Sequence, residues 1–148
     1  MFEHLKNLEV ITDARINYEL PEIPGTPTLV LLSATSDNKA YFNAMLRSAK
    51  NSKPGHKGKR MSATDPAVTR MAREADRKDY PGNVIVDWNG VVDSDGNEVP
   101  FSEENCADFL SALPDWLFDN IRNTASVPTN FVKGFDQDEG VEADLSKK

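Results

Sequence analysis

The chain is poor in the residues that most chemistry needs. It has one cysteine, Cys106, and two histidines, His4 and His56, in 148 residues. A single cysteine excludes an intramolecular disulfide framework and fits a reducing compartment. Neither histidine has a Cys or His at metal-ligand spacing, so no zinc site is expected. No G-x-S-x-G is present, and "KPGHKGKR" lacks the first glycine and the Ser/Thr of a phosphate-binding loop. No apolar run approaches the roughly 20 residues that cross a bilayer, and "MFEHLKNLEV" has no signal-like apolar core. Excess positive charge is also missing. Seventeen Lys and Arg face 24 Asp and Glu, a net charge of -7 that argues against general nucleic-acid binding. An enzyme, a cofactor and a membrane partner are therefore not expected. A protein kept inside the cell is.

What is present is a set of short periodic segments. In "ARINYEL", Ala14, Ile16, Tyr18 and Leu20 alternate with Arg15, Asn17 and Glu19, the pattern of a half-buried strand. "PEIPGTP" breaks regular structure, and "TLVLLSAT" follows as a more buried strand able to pair antiparallel with the first. "SDNKAYFNAMLRSA" has helical spacing, with Ser36 or Asp37 as cap. A second helix opens at "TDP", with Thr64 or Asp65 as cap and an apolar stripe of Val68, Met71, Ala72 and Ala75 expected to face the core. Phe2, Leu5 and Leu8 suggest a short helical arm at the start.

The stretch "VIVDWNGVVDSDGNEVPFSEENCADFL" poses the main question of function, because "DSDGNE" looks like part of a calcium loop. Aligned on Gly96, that loop would have Val91 at its first position and Ser102 at its twelfth, and neither supplies the required carboxylate. A turn explains more. Val84, Val86 and Trp88 alternate with Ile85, Asp87 and Asn89 as a strand, Asp95-Gly96 turns the chain, and "NEVPF" returns as a short second strand ending at Pro100. Ser102 then caps a helix whose buried face is Cys106, Phe109, Leu110 and Leu113, with Phe101 placed to staple onto Cys106. A last helix follows "LPD". The fold class is α+β: two antiparallel hairpins packed on three to four helices. The expected organisation is one domain over 1–133 with a mobile basic loop at 50–60, then an acidic flexible tail over 134–148.

The run of Trp88, Gly90 and Val91, the acidic turn of Asp93, Asp95 and Gly96, and the helix start Val99, Pro100, Phe101, Ser102, Glu104 and Asn105 form a recognisable series. With Leu110, Asn130 and Phe131, and with the earlier "SDNKAYFNAMLR", it resembles a group of small tailed-bacteriophage proteins, the tail assembly chaperones and tail-associated proteins. The resemblance covers about Asp37 to Val132. It implies a non-enzymatic chaperone in the host cytoplasm that binds the tape-measure and tail-tube proteins during virion assembly. The alternative it leaves is a structural protein of the virion tail or neck. A chaperone needs an apolar surface, and Trp116, Phe118 and Phe131 lie close in sequence, so these are the candidate partner contacts; core packing is the other reading of Trp116. Lys53, Lys57, Lys59 and Arg60 in the basic loop are candidates for contact with phosphate or an acidic surface, including the acidic tail of a neighbouring copy, so self-association stays open.

Overall fold

A computed structural model of the chain describes residues 1–11, 13–51 and 65–132. Lys53, Lys57, Lys59 and Arg60, the Thr64 cap and the acidic tail lie outside the described residues. Three strands, β1 (Ile16–Glu19), β2 (Thr28–Leu31) and β3 (Ile85–Asn89), form one antiparallel sheet in the order β1-β2-β3. Helices α1 (Lys39–Asn51) and α2 (Pro66–Asp79) intervene between β2 and β3, and α3 (Glu103–Ala112) and α4 (Asp115–Ser126) follow. The expected α+β class is what the chain adopts.

The first hairpin forms as its alternation requires. Ile16 pairs with Leu31 and Tyr18 with Leu29, while Leu20, Leu29 and Leu31 are fully buried. The "PEIPGTP" loop passes so close to the end of β3 that a Cβ on Gly25 would lie 2.7 Å from the Gly90 carbonyl oxygen. Both glycines also have positive φ, so the contact needs residues without side chains at both places.

The second hairpin differs from the expectation. The partner of β3 is β2, and the returning segment pairs instead with residues 91–93, through an isolated Val92–Glu98 bridge, a Val99 N–H to Val91 carbonyl bond and an Asp93 N–H to Asn97 carbonyl bond, both of 2.8 Å. Pro100 has no N–H to extend the ladder. The turn also differs from a type I′ loop, because Gly96 alone of its pair has positive φ. Its φ is 88°, and its N–H returns to the Asp93 carbonyl, as in a type I turn closed by a left-handed glycine. Along β3 the simple alternation fails too. Leu31 opposes Ile85 but Val30 opposes Asp87, so Val86 is an extra residue and both Ile85 and Trp88 are buried.

The helices close over one face of the sheet. Asn38, not Ser36 or Asp37, caps α1: its Oδ1 accepts from Tyr41 N–H at 3.1 Å. Its amide nitrogen donates to the carbonyls of Ser33 (2.8 Å) and Asn83 (2.7 Å), which fixes the helix start to the ends of two strands. Asp65 caps α2 through Ala67 N–H, and Ser102 caps α3 through Asn105 N–H, both as expected. Cys106 and Leu110 of α3 and Leu117, Phe118, Ile121 and Ala125 of α4 join Leu29, Leu31, Tyr41, Tyr80, Val84 and Ile85 in the core. The two ends of the described fold meet where Val10 bridges Val132 and Ile11 N–H donates to the Phe131 carbonyl. Among the described residues no helix is long and apolar enough to cross a membrane.

Candidate functional site

Helix α2 turns a charged face inward, against the expected apolar stripe. Met71 is 46 % exposed and Ala72 is exposed, whereas Asp76 and Asp79 are buried. The reason is the facing side of α4 and α1. Asp76 accepts from Arg122 Nε at 2.8 Å and from the Tyr41 hydroxyl at 2.8 Å. Arg73 donates to both oxygens of Asp119, at 3.1 and 2.9 Å, and reaches Asp115 at 3.3 Å. Arg77 pairs with Asp115 at 2.8 Å and also donates to the carbonyls of Leu110 and Leu113. Those carbonyls lie at the C-terminal end of α3, where the last turn leaves acceptors without helical partners and a cation complements the dipole. Arg77 further lies 5.0 Å from the centre of the Phe118 ring, a cation–π contact.

The surroundings also shift the titration of three of these groups. The Arg73 hydrogen bond holds the Asp119 carboxyl below its ordinary range, with Arg122 adding to it. Burial pushes Asp79 the other way, although the Ser48 hydroxyl donates to it at 2.9 and 3.0 Å. Burial and the nearby Asp76 raise the Tyr41 phenol. The arrangement is a three-helix clamp of α1, α2 and α4, with each of its carboxylates turned to a donor on another element.

The Trp88 corner is the second polar-lined feature. Its ring meets Phe101 and Phe109 edge-on, each with centroids 5.3 Å away, and its Nε1 donates to the Val99 carbonyl at 2.8 Å. Phe101 is thus engaged by Trp88. A shallow cleft of about 250 Å³ lies here, lined by Trp88, Asn89, Gly90, Glu98, Val99, Pro100 and Phe101. The acidic turn beside it is occupied with its own backbone: Asp93 Oδ1 accepts from the N–H groups of Asp95 and Asn97, each at 2.9 Å. Among the described residues no three His, Cys, Asp or Glu side chains are grouped to hold a metal ion. Burial pushes the Cys106 thiol up to about 12, which keeps it a neutral core residue and a poor nucleophile.

The candidate partner residues separate in space. Phe118 is fully buried between Tyr80, 5.5 Å away, and the guanidinium groups of Arg77 and Arg122, and Phe131 is 2 % exposed. Both are buried: Phe118 lies on the α4 face that also buries Leu117 and Ile121, and Phe131 ends the 3-10 turn Pro128–Phe131. Trp116 is the member left outside, 56 % exposed in the first turn of α4. It follows Asp115, which Arg73 and Arg77 hold from α2, so the indole stands on a braced helix start. A second apolar surface is the N-terminal arm, a 3-10 segment over Glu3–Leu8, where Phe2, Leu5 and Leu8 are 64, 48 and 55 % exposed. Their spacing was visible in sequence, but nothing in it told an exposed arm from a packed one.

No curated protein and no solved structure matches the chain. A family model described as YdaY prophage protein matches residues 36–142, from the entry to α1 through the last described segment and beyond. That match gives the chain a phage origin, in line with the resemblance carried by the Trp88 strand, the acidic turn and the α3 start. The chain belongs to the YdaY prophage protein family.

Proposed function

We propose that the protein is a tail assembly chaperone of a phage, acting in the host cytoplasm on the tape-measure and tail-tube proteins. Three things support the reading. The family is one of prophage proteins. The series running from Trp88 to Asn105 resembles that of tail assembly chaperones. The observation that carries it is Trp116: a large aromatic, 56 % exposed, on a helix start that ion pairs hold in place. A rigid, exposed indole is the kind of side chain that anchors a protein–protein contact.

The test is co-expression of the tagged chain with the tape-measure and tail-tube proteins of the same prophage. The chain should co-purify with one of them and keep it soluble, and should be missing from purified particles by mass spectrometry. Recovery in particles at the stoichiometry of a tail or neck component would instead make it a structural virion protein. Failure to bind either protein would remove the chaperone reading.

A further inference from the structure

The two edges of the sheet are finished differently. On β3, the Trp88 N–H is taken at 2.9 Å by the carboxylate of Asp87, and the 91–99 segment folds back beside the strand. On β1, at the other end of the sheet, no strand lies beside the edge among the described residues. Leu20 N–H donates to the Pro27 carbonyl at 2.8 Å, and the register Tyr18–Leu29, Ile16–Leu31 continues that pair. In an antiparallel ladder the hydrogen-bonded pairs alternate, so residues 16, 18 and 20 turn their peptide groups to β2. Arg15, Asn17 and Glu19 turn theirs outward, where no described residue takes them. The strand has no proline, lysine or bulge to blunt it, although an exposed edge is a template for another strand.

We propose that this edge is a homodimer interface, in which β1 pairs antiparallel with β1 of a second copy about a two-fold axis at Asn17. The sequence is complementary to itself in that register. Arg15 falls opposite Glu19 of the second copy, and Glu19 opposite its Arg15, so two opposite-charge pairs flank the Asn17 pair on the outer face. These outward-facing residues are the ones with free backbone groups, so the charge register and the hydrogen-bond register coincide. Ile16 then lies opposite Tyr18 of the second copy on the core face, where both are half-buried. The neighbouring registers are worse. A slip of two residues one way sets Glu19 against Asp13 of the second copy, a like-charge pair. A slip the other way sets Arg15 against Pro21, which has no N–H.

Five paired residues bury less than the roughly 1,200 Å² of a stable interface. The remaining area would come from the N-terminal arm, where Phe2, Leu5, Leu8 and Ile11 are all exposed. The product is a continuous six-stranded sheet with isologous symmetry.

The test is sedimentation equilibrium of the full chain from micromolar to submillimolar concentration. The wild-type chain should dimerise. Arg15→Glu and Glu19→Arg should each weaken the dimer about tenfold or more, since each turns two symmetry-related attractions into repulsions. The double variant restores opposite charges and should recover the wild-type dimer. Both positions of change are exposed on the monomer, so urea melts of the three variants at low concentration should overlay. A wild-type chain that stays monomeric throughout would overturn the proposal. A dimer indifferent to either single change, or not rescued by the double one, would also overturn it.

Discussion

The Trp88 corner and the α2–α4 clamp close the same core by opposite chemistry. At the corner, three aromatic rings meet edge-on and one indole N–H finds a carbonyl. At the clamp, Arg73, Arg77 and Arg122 meet Asp76, Asp115 and Asp119, with the Phe118 ring beneath two of the guanidinium groups. The corner gains by removing apolar surface from water. The clamp gains little net from its charges, because desolvation offsets attraction, but it loses heavily when one partner is removed. The corner therefore provides stability, whereas the clamp sets where α2 lies and which of its faces stays outside.

Breaking the corner should have the largest effect. Trp88→Ala removes a ring that is 8 % exposed and leaves a cavity between β3 and α3, at a cost of about 3–5 kcal/mol. That is a large share of the roughly 5–15 kcal/mol that holds a domain folded. Urea melts should show a greatly lowered midpoint or an aggregated protein. A midpoint near wild type would mean that the corner is not part of the core.

Breaking the clamp should cost less. Arg122→Ala leaves Asp76 with the Tyr41 hydroxyl and without its cation. The Arg122 and Asp76 side chains are 22 and 12 % exposed, so solvent screens part of the loss, and about 1–3 kcal/mol is expected. Adding Asp76→Leu to Arg122→Met should recover much of it, since an apolar pair of similar volume leaves no buried charge alone. Purely additive losses in that double variant would contradict a clamp.

Acid should separate the two regions, because the three rings that close the corner do not titrate and the carboxylates of the clamp do. Asp119 lies below its ordinary range, so its contribution is complete above the unfolded value of 3.8 and is lost as pH falls through the lowered folded value. Asp79 is raised, so its ionisation opposes folding above its folded value and its protonation relieves that as pH falls. In urea melts from neutral down to about pH 3, Asp119→Asn should flatten the acid loss of stability, and Asp79→Asn should steepen it. Unchanged profiles in both would mean that neither carboxylate is held as described.

These chemistries also decide what could be read in advance. The first hairpin, the four helices, the Asp65 and Ser102 caps and the inward Trp88 follow from local periodicity and turn residues, which are sequence-near causes. The α2 stripe misleads, because Val68, Met71, Ala72 and Ala75 have the right period, yet Asp119 and Arg122 lie some 46 residues away and draw the charged face inward. Asn38 is hidden for the same reason, since its partner Asn83 is distant in sequence. The Val86 bulge depends on which strand pairs with β3, and the expected partner was the wrong one. Trp116, Phe118 and Phe131 could not be sorted by spacing alone, because one turn of α4 carries both a surface and a core aromatic.

Trp116 gives the smallest expected effect on the fold and the most direct test of the functional account. The measurement is the affinity of the purified Trp116→Ala protein for the tape-measure protein, taken beside its urea midpoint. Stability should stay within about 0.5 kcal/mol of wild type, as for an exposed residue outside the core. Affinity should fall at least about tenfold, the size expected when an anchoring aromatic is truncated. Undiminished binding by a stably folded Trp116→Ala protein would contradict it, and would show that the indole is not where the partner docks.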